Sequence, residues 1–224
     1  MSKCNSESGD IDLTETEKFT LKNLFWRFVL PVIVGLLIVA FATVIRSSLL
    51  IAFPMESGSP IPYILTFGFA QMLIFGIPMF LGLNWNKYAG GAAGFLMGTL
   101  YYLAMAGYSS FEYLSYGQTW NFFADPSLIT YIVVGILIGY IAGALNNKSY
   151  RFKQMLGAGL TAAITTGLIQ YFVNYEFALE PNRVMTLADP VYAFLILMIP
   201  QLVLGILVPI VAKISYGSEI SHPS

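Results

Sequence analysis

Cysteine, histidine and charge are all scarce in this sequence of 224 residues. Cys4 is its one cysteine, so no intrachain disulfide can form. His222 is its one histidine, and a zinc site built from histidine and cysteine needs several such ligands. Haem ligation by paired histidines fails for the same reason, and a Ser-His or Cys-His nucleophile would have to recruit His222 from the end of the chain. Charged residues make up 10% of the chain, 11 basic and 12 acidic, where a soluble domain carries roughly a quarter. The net charge of −1 gives none of the basic excess of a general nucleic-acid binder. These absences exclude an ordinary soluble enzyme, a disordered tail protein and a disulfide scaffold.

What fills the space is apolar. Hydrophobic residues are 57% of the chain and its mean hydropathy is +0.71. Six apolar stretches stand out, at 24–45, 61–83, 88–105, 128–145, 155–173 and 191–214. Each has the length of a helix that crosses about 30 Å of hydrocarbon. None alternates strictly between apolar and polar residues, which argues against a β-barrel. The expected fold is an all-α integral membrane protein of six transmembrane helices. A polar, acidic leader (1–23) precedes the membrane domain (24–214), and a short polar tail (215–224) follows it. The leader lacks the basic-then-apolar order of a signal peptide. Within it, Thr14 and Glu17 have the spacing of a capping box.

Charge placement sets the expected orientation. Lys3, Lys18, Lys22, Arg27, Lys87, Lys148, Arg151, Lys153 and Lys213 fall on one side of a six-span layout, and only Arg46 and Arg183 on the other. The positive-inside rule then places both termini in the cytoplasm, with the plasma membrane as the location. Glu56, Glu112, Asp125, Glu176, Glu180 and Asp189 all fall outside. The inner connections, 84–87 and 146–154, are short; the outer ones, 46–60, 106–127 and 174–190, are long. The loop 106–127 holds seven aromatic residues, two acidic and no basic ones. It has the character of a lid over a binding site, with an interfacial aromatic belt as the plainer alternative. With Trp120 for stacking and a carboxylate from Glu112 or Asp125, such a site favours a cationic or neutral heteroaromatic ligand.

Inside the spans, Gly90, Gly94 and Gly98 recur every fourth residue, and so do Gly135, Gly139 and Gly143. Such stripes let helix backbones approach closely in lipid. No span carries an acidic residue or a lysine near its centre, which argues against a proton pump or ion channel. The intramembrane polar residues are uncharged, and Gln71 and Gln201 are the most unusual of them. Each amide suits a bond to a neighbouring helix.

The segment Asn86-Lys87-Tyr88-Ala89-Gly90-Gly91-Ala92-Ala93-Gly94-Phe95-Leu96-Met97-Gly98 follows a short inner turn. Gly135-Ile136-Leu137-Ile138-Gly139 is followed by the basic turn Asn147-Lys148-Ser149-Tyr150-Arg151. With the size, helix number and loop lengths, these segments resemble the substrate-binding S component of energy-coupling factor (ECF) vitamin transporters. The resemblance implies uptake of a vitamin or similar small molecule, bound in the outer half of the bundle under the outer loops. It also implies partners, a transmembrane coupling subunit and two ATPase subunits, since this chain has no Walker A sequence. The alanine pair four apart in helix one, where the family docks its coupling subunit, is absent: Leu36 and Ile38 stand four before Ala40 and Ala42. Candidate substrate-binding residues are Glu112, Tyr113, Tyr116, Trp120, Asn121, Asp125, Gln170 and Asn174, with no catalytic residue, metal or cofactor. Two alternatives have their own marks. An assembly subunit of a larger membrane complex would turn the glycine stripes outward. A membrane enzyme would have to use the outer carboxylates Glu112, Asp125, Glu176, Glu180 and Asp189.

Overall fold

A computed structural model describes residues 30–52, 60–115, 126–177 and 190–220 of the chain. They form six α-helices: α1 (Leu30–Ala52), α2 (Pro60–Asn84), α3 (Lys87–Ser115), α4 (Pro126–Asn146), α5 (Phe152–Phe177) and α6 (Pro190–Ile220). Four segments are long and apolar enough to cross a membrane: Lys87–Gly107, Ser127–Asn146, Phe152–Phe177 and Ala193–Ser215. The described side chains of α1 and α2 give shorter apolar runs, Pro31–Ile45 and Ala70–Asn84. The chain divides into Met1–Val34 and Gly35–Ser224. Of the first unit only the opening of α1 is described, with Pro31–Val34 exposed; the second holds the rest of the helices.

Sequence chemistry sets the helix ends. Pro60, Pro126 and Pro190 each open a helix, where a missing N–H costs nothing and φ is already helical. Asn86 caps α3, its Oδ1 accepting from the Ala89 N–H at 2.9 Å. At the end of α4 the chain reverses through two left-handed residues, Asn147 (φ 45°) and Lys148 (φ 58°). The Asn147 N–H closes on the Gly143 carbonyl at 3.1 Å and the Ser149 N–H on Asn146 at 2.8 Å, so the last carbonyls are not left bare.

Several helices run past the apolar stretches that announced them. α1 continues to Ala52, α3 to Ser115, α5 to Phe177 and α6 to Ile220. The first part of the supposed loop 106–127 is therefore helix, as are the starts of 46–60 and 174–190. Much of the supposed polar tail 215–224 is helix as well. A helix stops where a breaker or cap stops it, and leaving the hydrocarbon does neither. Residues 116–125 and the leader, with Thr14 and Glu17, lie outside the described residues.

α2 lies at the centre, touching α3, α4 and α6, while α3 packs on α4, α4 on α5 and α5 on α6. The tightest seam joins α3 and α4. A Cβ built on Gly98 would lie 2.5 Å from the Tyr131 carbonyl oxygen, and one on Gly90 would lie 2.5 Å from that of Gly139. Gly94 and Gly135 each face the other's carbonyl more closely still. Gly82 of α2 and Gly143 join the same contact beside the Lys87 backbone. The two glycine stripes are thus used against each other. Prolines inside α6 find glycine partners too: Pro200 packs on Gly68 and Pro209 on Gly159.

The bundle has an apolar core in which a few neutral polar side chains are buried, and its outer surface is apolar as well. Ile199, Val203, Ile206, Leu207, Ile210, Val211 and Ile214 form an exposed stripe along α6, while Gln201 behind them is 1% exposed. Water would penalise so continuous an apolar face, and hydrocarbon does not.

Substituting alanine for Gly94 or Gly139 drives a methyl into a backbone that cannot yield, and should cost about 3 kcal/mol or more. Gly157 has open space around its α-carbon, so Gly157→Ala should be neutral or stabilise by up to about 1 kcal/mol. Thermal unfolding in detergent, run on the three variants side by side, checks the contrast.

Candidate functional site

A row of neutral polar side chains runs through the buried interior of α2, α5 and α6. Gln71, Thr166, Gln170, Asn174 and Gln201 are all buried. α5 builds most of it, because Thr166, Gln170 and Asn174 recur every fourth residue and share one face. That face also carries Ala162, Ala163 and Gly167, small enough to let α6 come close. Gly167 faces Met198 and Gln201, its Cβ position 2.8 Å from the Met198 sulfur.

The central contact is an amide pair. Gln201 Nε2 donates to Gln170 Oε1 at 3.2 Å, joining α6 to α5. Asn174 Nδ2 donates to the Gln170 carbonyl at 3.1 Å, and Thr166 Oγ1 to the Ala162 carbonyl at 2.7 Å. Within this row, three amide atoms are buried without a hydrogen-bond partner among the described residues: Gln170 Nε2, Gln201 Oε1 and Gln71 Oε1. Gln71 enters by register. It lies on α2 between Gly68, which meets Pro200, and Gly76, which faces Leu204 and Val208. That sets it at the height of Gln201.

Leaving a buried donor or acceptor unmade costs about 1–3 kcal/mol, and three at one height leave hydrogen-bonding capacity unmet inside the bundle. One donor stands beside two acceptors, all uncharged. Such a set suits a neutral solute bearing both N–H and carbonyl or ring-nitrogen groups. At 1.5 Å per residue, Gln170 is about 10 Å from the Phe177 end of α5 and about 27 Å from its Phe152 end. The cluster thus sits in the half of the bundle that faces the long connections. Above it on α5 and α6, Tyr171 meets Phe194 edge-on at 5.3 Å and stacks with Tyr175 at 5.8 Å. Toward α4, Tyr101 and Phe75 pack on Tyr131 at 4.8 and 6.5 Å.

Of the candidate binding residues, the structure joins Gln170 and Asn174 directly. Glu112 and Tyr113 lie on α3 rather than in a loop, and their side chains are outside the described residues. Tyr116, Trp120, Asn121 and Asp125 lie outside the described residues altogether. Gln201 and Gln71 were visible as lone amides in apolar spans but carried no sign that they share a height with Gln170. Among the described residues no group of histidine, cysteine, aspartate and glutamate could hold a metal ion. No protein family, curated protein or solved structure gives a significant match to this chain.

The Gln170–Gln201 bond can be measured directly. Gln170→Leu should destabilise by about 1–3 kcal/mol, because the Gln201 amide loses its acceptor. The double variant with Gln201→Leu should recover part of that loss. A double-mutant cycle on thermal stability in detergent should return a coupling between about 0.6 and 1.7 kcal/mol.

Proposed function

We propose that this chain is a membrane-embedded substrate-binding subunit for uptake of a vitamin-like small molecule, similar to the S component of an ECF transporter. The carrying observation is the amide cluster of Gln71, Gln170 and Gln201, with its buried donor and acceptors left open in the half facing the long connections. A neutral heterocycle or amide would satisfy those atoms, and the aromatic residues of 106–127, Trp120 among them, would cover it. In this reading all six helices span the plasma membrane, both termini are cytoplasmic and the cluster opens outward. The chain performs no chemistry of its own; separate coupling and ATPase subunits drive release inward. The assembly-subunit reading is less well supported, because the stripes Gly90/Gly94/Gly98 and Gly135/Gly139/Gly143 pack on each other instead of facing outward.

Small-molecule mass spectrometry on the purified, denatured protein tests this. The parent should release a stoichiometric heterocyclic or amide compound that the Gln170→Leu/Gln201→Leu variant lacks. Trp120→Ala should weaken its rebinding about tenfold, the equivalent of about 1.4 kcal/mol. A parent that releases nothing, or a variant that releases the same compound in equal amount, would sink the proposal.

A further inference from the structure

The opposite end of the bundle carries a different kind of site. The tight turn between α2 and α3 meets the end of α4 around a cavity of about 280 Å³. Asn86, Lys87 and Tyr88 line one side; Gly143, Asn147 and Lys148 line the other. Neither these residues nor the two turns 84–87 and 146–154 include an acid, while the turns add Arg151 and Lys153. Lys213 joins the same end, its Nζ donating to the Tyr150 carbonyl at 3.1 Å.

We propose that this cavity holds the phosphate of an anionic phospholipid headgroup. Two lysines from separate elements, Lys87 and Lys148, line it, and the two asparagines and Tyr88 bring hydrogen-bonding groups suited to orienting an oxyanion. It also lies at the start of α3, the positive end of a helix of 29 residues. The left-handed residues Asn147 and Lys148 fold the chain back, so that Lys148 lines the cavity instead of extending the axis of α4.

The surroundings identify a lipid as the source. Trp85, Tyr88, Tyr140 and Tyr150 are all exposed at this end, the arrangement of aromatic residues at headgroup depth. The Lys87 ammonium sits 5.2 Å from the Tyr88 ring centre and 5.8 Å from that of Tyr140. Both rings face outward, so the charge is held on the lipid side. Basic pockets between membrane helices at this depth are a known way to hold anionic headgroups.

Native mass spectrometry of the full chain tests this, after reconstitution into vesicles of phosphatidylcholine mixed with phosphatidylglycerol and extraction in mild detergent. The parent should retain one phosphatidylglycerol in preference to phosphatidylcholine. Lys87→Gln/Lys148→Gln should lower that retention roughly thirtyfold, about 1 kcal/mol for each lysine. Lys87→Arg/Lys148→Arg should keep it, which separates loss of charge from loss of fold. A second arm adds inorganic phosphate to the lipid-loaded parent. Lipid that stays bound supports the headgroup assignment, whereas displacement with phosphate bound in its place would overturn it in favour of a soluble anion. A parent that retains both lipids equally would also overturn the proposal, whether or not the glutamine variant folds.

Discussion

Everything in this bundle depends on two backbones being allowed to touch. In lipid, apolar side chains gain nothing by leaving the solvent, so helices associate through close packing and hydrogen bonds. α3 and α4 meet through glycine on glycine, with Gly94 and Gly135 at the closest point and Gly90 against Gly139 one turn away. Gly82 brings α2 into the same contact, and Gly143 lays the end of α4 on Lys87. Asn146 then fastens the turn from within, its Nδ2 donating to the Leu83 carbonyl at 2.9 Å. Gln154 donates back to the Asn146 carbonyl at 3.1 Å and so ties α5 to α4. The shape of the cavity lined by Lys87 and Lys148 follows from that seam.

With one end fixed by backbone contact, the other half can hold polar groups that packing alone would expel. α5 and α6 are joined by the Gln170–Gln201 bond, by Pro209 on Gly159 and by the close approach of Gly159 and Gly205. The division is chemical as well. Fixed positive charge collects around the tight turns, while the buried amides in the other half are neutral. Neutral buried amides would let a bundle receive an uncharged solute without desolvating an ion, the costlier process by far.

Much of this was legible in the sequence because membrane helices announce themselves by composition. All six apolar stretches correspond to helices, and the glycine stripes foretold a close contact because four-residue spacing repeats one face. Helix ends were less legible. No proline follows Met105 until Pro126, so α3 simply continues to Ser115. The pairing of Gln170 with Gln201 was hidden for a different reason: nothing in one sequence says which faces of two distant helices meet. Gln71 and Gln201 stood out as costly residues to bury, yet their shared height became apparent only through Gly68 on Pro200 and Gly167 on Gln201. The lid expected over 106–127 rests on residues that the structure describes only in part.

The proposed uptake requires a solute to reach the buried amides from the end with the long connections. Thiol accessibility at Gln71 addresses it most directly, using Gln71→Cys in a Cys4→Ser background reconstituted in sealed vesicles of known orientation. Labelling by a membrane-impermeant maleimide is expected from the side of the long connections, slowed by the compound that co-purifies with the parent. A thiol that labels only from the side of Lys87 and Lys148, or from neither side, would contradict it.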